Sequence, residues 1–146
     1  MDLEALVRIK PTEKPRNRRK KGREVKKSKF EKQIKLVGVI CAGLRSKLGS
    51  FDKILAETNC SIFFLQETKL RRQGTIKTPN SQNFAIFELI RKQKTGGGLA
   101  IGVVKELKPT WISEGNDEVE FLTVQINLEG FSIRCVNGYG KIFGLV

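Results

Sequence analysis

Between Ser61 and Gln66 the chain reads Ile62-Phe63-Phe64-Leu65, apolar at every position. Successive side chains of a strand point to opposite faces, so a strand of this composition has to be covered on both. A chain that contains it must place one layer of structure above a sheet and another below. The preceding segment starts to meet that need. Residues 36–40 read as a buried strand, and Ser50 stands where it can cap a short helix carrying Phe51, Ile54 and Leu55 on one face. Downstream, residues 84–90, 99–104, 119–128 and 131–137 read as further strands separated by turn residues. Leu122, Val124, Ile126 and Leu128 alternate with more polar neighbours, and Glu129-Gly130 makes a tight connection into Phe131, Ile133 and Cys135. The expectation is an α/β sheet with antiparallel pairs and no internal repeat.

Charge divides the chain. It carries 28 Lys and Arg against 15 Asp and Glu, a net +13. Residues 1–35 hold 14 of the basic and 5 of the acidic side chains, a net +9. A segment so charged, broken by Pro11 and Pro15, buries too little apolar surface to offset the entropy of ordering. Residues 1–34 are therefore expected to be a basic, largely disordered leader, and residues 35–146 the folded domain. In the leader Arg16, Arg18, Arg19, Lys20, Lys21, Arg23, Lys26 and Lys27 can bind nucleic-acid phosphates or serve as a nuclear-import signal, and a purely solvating tail is the alternative. The excess of positive charge points to DNA or another nucleic acid as partner.

Three cysteines, Cys41, Cys60 and Cys135, at wide spacing and without any histidine, do not make a zinc site and read as free thiols of a reducing compartment. The first ten residues have acids among the apolar positions and the longest apolar runs are strand-sized, so neither a signal peptide nor a membrane span is expected. An intracellular, nuclear location follows from this reading.

The chemistry-bearing candidate is Glu67, an acid set directly after an apolar strand. A carboxylate there can hold a hard cation such as magnesium, because the sheet fixes it and solvent supplies the other ligands. A surface glutamate at a strand end is the alternative. The triplet Gly96-Gly97-Gly98 lacks a following Gly-Lys-Ser/Thr and reads as a hairpin turn rather than a phosphate loop. Trp111 reads as a packing residue, and Asp117, Glu118 and Glu120 as a solvated turn. Arg71, Arg72, Lys92 and Lys94 are cations that can face a DNA backbone or simply water.

Four segments in order carry a resemblance: Gly43-Leu44-Arg45-Ser46-Lys47, Phe63-Phe64-Leu65-Gln66-Glu67-Thr68-Lys69, Gly96-Gly97-Gly98-Leu99-Ala100-Ile101-Gly102 and Val136-Asn137-Gly138-Tyr139-Gly140. Together they resemble the endonuclease domains of the exonuclease III and apurinic-endonuclease family, within the endonuclease/exonuclease/phosphatase group, particularly those of non-LTR retrotransposons. The resemblance implies a DNase I-like four-layer α/β sandwich, Glu67 as the magnesium-binding glutamate, and Tyr139 as the catalytic tyrosine at the scissile phosphate. It also implies a nick that leaves a free 3' hydroxyl.

The departures are as informative. Ile40 stands where the family has an asparagine, and the absence of histidine removes the family's catalytic histidine. The later acidic motifs are not found, so the fold is expected to be an incomplete sandwich supplying mainly one sheet, with an uncovered apolar face prone to self-association. The chain then reads as a fragment of a magnesium-dependent phosphodiesterase that is catalytically incompetent, with magnesium weak or absent. A non-catalytic basic nucleic-acid-binding protein and a non-functional remnant of a mobile element are the alternatives.

Overall fold

The computed structural model describes residues 2–8, 33–92, 95–138 and 142–145. In chain order the elements are β1 (Asp2–Arg8), β2 (Gln33–Ile40), α1 (Leu48–Thr58), β3 (Ile62–Gln66), β4 (Phe84–Leu89), β5 (Leu99–Val104), β6 (Thr110–Glu114), β7 (Phe121–Leu128), β8 (Phe131–Gly138) and β9 (Ile142–Leu145). They build a five-stranded sheet of order β1-β2-β3-β5-β4 and a four-stranded sheet of order β6-β7-β8-β9. Only β2 and β3 run parallel, and α1 supplies the crossover such a pair requires; the other pairs are antiparallel.

Period-two alternation assigns every face. From the first sheet Ile34, Leu36, Ile62, Phe64, Leu99, Ile101 and Val103 meet Leu122, Val124, Ile126, Ile133 and Cys135 of the second in one buried core. The opposite face of the first sheet presents Val37, Phe63, Leu65 and Ala100 to Phe51 and Leu55 of α1. Phe63 is the centre of that layer, edge-on to Phe51 at 5.1 Å and tilted against Phe84 at 5.0 Å. The uniformly apolar β3 is thus covered above and below, as its composition demands. The helix starts at Leu48 with no side-chain cap, so Ser50 lies inside it rather than before it. Its end is set by Asn59 in the left-handed conformation, whose N–H returns to the Leu55 carbonyl at 3.2 Å.

Three expectations are corrected. The chain supplies two sheets packed face to face, so the inner face of the first is not bare. The strands of the second sheet beyond β7 and β8 were hidden because Thr110–Glu114 sets Trp111 and Ile112 side by side without alternation, and a register shift falls there. Second, the outer face of the second sheet carries Thr123, Gln125, Asn127, Ser132 and Arg134, joined by Gln125 and Ser132 hydrogen bonds to the Asn127 Oδ1 at 2.8 Å each. Phe121 and Val136 share that face, and among the described residues no helix covers it. Third, Asp2–Arg8, expected within the leader, pairs with β2 as β1, and Ile34 is already core. The basic cluster of residues 16–27 lies outside the described residues. Cys41, Cys60 and Cys135 are buried and form no disulfide, and burial pushes the Cys135 thiol up to about 12. No helix among the described residues is long and apolar enough to cross a membrane.

Glu88 of β4 is the polar exception at the sheet edge. One oxygen accepts the Gly74 N–H at 2.8 Å, while the other, Oε1, is buried without a partner among the described residues. Burial raises its pKa, and the Gly74 N–H offsets this only in part. With the folded pKa above the unfolded one, Glu88 favours folding while protonated, and that contribution is lost as pH rises through the folded value. Glu88→Gln is therefore expected to raise the melting temperature at neutral pH and to lose its advantage below the ordinary value of 4.5. Leu122→Ala, at a fully buried inter-sheet position, is expected to cost about 2–5 kcal/mol in a urea titration.

Candidate functional site

The inter-sheet core does not stay apolar to its end. Gln66 follows Ile62 and Phe64 on the inner face of β3, Asn137 follows Ile133 and Cys135 on β8, and Glu120 precedes Leu122 and Val124 at the entry to β7. All three are buried, at 5%, 0% and 4% exposure. Gln66 Nε2 donates to Asn137 Oδ1 at 3.0 Å and to the Gly138 carbonyl at 2.7 Å. Asn137 Nδ2 donates to the Leu65 and Ala100 carbonyls at 2.9 and 3.0 Å. A polar layer therefore closes this end of the sandwich and ties β8 to β3 and β5.

Immediately beyond Gln66 the chain turns left-handed at Glu67 (φ 57°) and Lys69 (φ 52°), and the neighbouring loop does so at Ala42 (φ 47°) and Gly43 (φ 97°). Left-handed backbone costs a non-glycine residue about 1–2 kcal/mol, so something must hold these residues in place. The holding groups are backbone. Gly43 and Leu44 N–H donate to the Glu67 and Thr68 carbonyls at 2.9 Å each, and on the other side Thr68 and Lys69 N–H donate to the Gly98 and Gly97 carbonyls at 3.3 and 2.8 Å. Residues 67–69 thus carry the sheet's pairing past its strand end. The closeness demands glycine at 98: a Cβ there would stand 2.5 Å from Thr68 Oγ1, at φ +91°. As expected, residues 96–98 lie in the connection of the antiparallel hairpin formed by β4 and β5.

Against this edge opens a cleft of about 480 Å³ lined by Gly43, Arg45, Ser46, Thr68 and Lys69. Arg45, Ser46 and Lys69 are exposed, and neither cation forms an ion pair among the described residues. Lys47 is different, because its Nζ donates to the Cys41 carbonyl at 2.6 Å and braces the loop. The arrangement presents two cations and a hydroxyl to solvent on a rigid backbone, which suits a phosphate-bearing chain.

Glu67 borders this cleft without lining it. The half-buried side chain turns to the β5 side, where Oε2 accepts the Gly97 N–H at 3.3 Å. Gln66, the residue before it, is bonded to Asn137. Ile40 offers no donor atom, and no group of three or more Asp, Glu, Cys or His residues occurs among the described residues. Glu67 thus offers a carboxylate at this edge with one oxygen engaged by a backbone amide. Tyr139 lies outside the described residues; Gly138, the residue before it, is bonded to Gln66 beside Glu67.

Two other readings change. Glu120 is no member of a solvated turn: its Oε1 accepts Arg91 Nε at 2.6 Å and the Gly98 N–H at 3.0 Å. Asp117 Oδ1 accepts the Lys92 N–H at 3.2 Å. Trp111 is 53% exposed on the edge strand β6 and is not a packing residue. Period two held the signal for Glu120, which shares its face with Leu122, Val124 and Ile126. Arg45, Ser46, Thr68 and Lys69 sat inside recognised segments, but nothing in the sequence marked which of their side chains face one space.

No protein-family model matches the chain, and no curated protein does. Among solved structures, an AP endonuclease from Leishmania major is similar with a TM-score of 0.56 and 21% identity, the match covering 73% of this chain and 40% of that one. The likeness is one of fold. This chain spans about 40% of the length of the structure it matches, and its two sheets have the coarse DNase I-like α/β arrangement.

The polar layer is open to direct test. Asn137→Ala removes the donors to Leu65 and Ala100 and the acceptor for Gln66. Each buried polar group left unpaired costs about 1–3 kcal/mol, so a total loss of roughly 2–5 kcal/mol is expected as a lowered urea midpoint at unchanged slope.

Proposed function

We propose that this chain is part of a phosphodiesterase domain of the exonuclease III and apurinic-endonuclease type, which engages the phosphodiester backbone of DNA in the cleft between Arg45 and Lys69 without itself completing a hydrolytic centre. The observation that carries this is the convergence of three separate loops, residues 43–46, 67–69 and 96–98, on one rigid edge with two uncommitted cations. The similarity of fold to an AP endonuclease supports the choice of polymer. The finer reading, a non-LTR retrotransposon endonuclease acting on nuclear DNA, rests on the order of the four sequence segments and on the basic run of residues 16–29. Magnesium is weak or absent at Glu67, since that residue is a single ligand.

With no histidine in the sequence and Glu120 held in its ion pair with Arg91, the described residues supply binding and orientation rather than turnover. Arg45 and Lys69 neutralise phosphate charge, Ser46 offers a hydroxyl, and the braced backbone keeps them in register. The second reading is a basic binder that works through its leader, and it is favoured by the net +9 of residues 1–35.

Titration of a labelled DNA duplex over a range of salt separates the two. Arg45→Ala and Lys69→Ala are each expected to weaken binding and to reduce the slope of log K against log salt by about 0.9. Loss of binding on deleting residues 14–32, which spares β2, with both alanine variants neutral, would establish the leader instead. Supercoiled DNA incubated with magnesium is expected to stay intact; nicking that disappears in Glu67→Gln would reverse the assignment of a non-hydrolytic role.

A further inference from the structure

Resting on the reading of the cleft as a backbone-binding edge, we propose that Arg91 and Glu120 are positioning residues: an ionic latch that holds residues 97–98, and through them Thr68 and Lys69, in the binding geometry. Neither residue lines the cleft. Glu120 is 4% exposed and its Oε1 receives two donors, the Arg91 guanidinium Nε at 2.6 Å and the Gly98 N–H at 3.0 Å. The Arg91 and Glu120 side chains are 18% and 2% exposed, so the pair is largely removed from water and gains strength accordingly. Its two ends come from different sheets, Arg91 from the connection after β4 and Glu120 from the entry to β7.

The space left for the loop is small. A Cβ on Gly97 would collide with the Arg91 guanidinium and stand 2.6 Å from Glu120 Oε1, so the latch packs directly on the main chain. That main chain then passes the constraint on. The Gly97 and Gly98 carbonyls accept the Lys69 and Thr68 N–H, and the Gly97 N–H reaches Glu67 Oε2. Lys69 is left-handed at φ 52°, a conformation it keeps only while those partners stay in place. The latch therefore decides where the Lys69 ammonium stands, although it touches no ligand.

The sign of one measurement distinguishes this from plain electrostatics. Glu120→Gln deletes a negative charge near an anion-binding edge and frees Arg91 from its ion pair, so charge alone would tighten DNA binding. The latch requires the reverse: duplex affinity falls about tenfold, as when a supporting residue behind a binding group is lost, and the salt slope drops by about 0.9 as the Lys69 contact goes. Hydrogen exchange on the same full-length variant should quicken at the Thr68 and Lys69 amides while those of Ile101 and Val124 keep their protection. Arg91→Gln leaves the carboxylate on the Gly98 N–H and removes the ion pair from its more exposed side; because it also deletes a positive charge, it is read by exchange at Thr68 and Lys69 and not by affinity, should Glu120→Gln not fold. Unchanged or tighter binding by a folded variant, or unaltered exchange at Thr68 and Lys69, overturns the proposal. If the unsubstituted chain fails to bind duplex, the cleft reading falls, while the exchange data still decide whether the latch orders residues 67–69.

Discussion

A pair of side-chain amides, Gln66 and Asn137, holds the two sheets together at the end where the candidate site lies. Their burial would be costly if any donor were left idle, since an unmade buried hydrogen bond costs more than a made one gains. Here Gln66 Nε2 and Asn137 Nδ2 each bond twice, and the acceptors include carbonyls of β3, β5 and β8. Apolar contact alone lets two sheets slide, because it has no direction. The amides remove that freedom and make the end of β3 a fixed point.

Everything at the site is hung from that point. Residues 67–69 continue the ladder beyond Gln66, accepting from the loop after β2 and donating to the loop before β5. The left-handed residues Ala42, Glu67 and Lys69 are stable because each sits within this doubly bonded stretch or beside it. Backbone geometry then determines the division of labour among the side chains. Thr68 and Lys69 face the space shared with Arg45 and Ser46, whereas Glu67 turns to the Gly97 N–H. On the proposed reading the cations are left to meet a ligand, while one oxygen of Glu67 braces the neighbouring loop.

The fold was legible wherever alternation was clean. β3, β4, β5, β7 and β8 stand within two residues of their expected limits, because Phe63, Phe64, Leu99, Leu122 and Ile133 each mark a face. β6 was not legible, since Trp111 and Ile112 straddle a register shift and both remain exposed. Nor was the presence of a second sheet, because period two tells which face a residue occupies but not which sheet owns it. At the site the polar residues on the buried face, Gln66, Glu120 and Asn137, were visible in principle by the same rule. What lay beyond the sequence was the partnership of Arg91 with Glu120, a contact across 29 positions that depends on how the two sheets end.

Under the proposed reading of the cleft, the distribution of charge along the described edge bears on binding more directly than on turnover. A hydrolytic site needs groups whose interactions strengthen as charge develops on the reacting phosphate, and these must be several and convergent. The described edge has one half-buried carboxylate engaged by a backbone amide and another locked in an ion pair. Its open cations, by contrast, neutralise phosphate charge equally well in any state of the backbone. Uniform binding of that kind raises affinity without lowering a barrier.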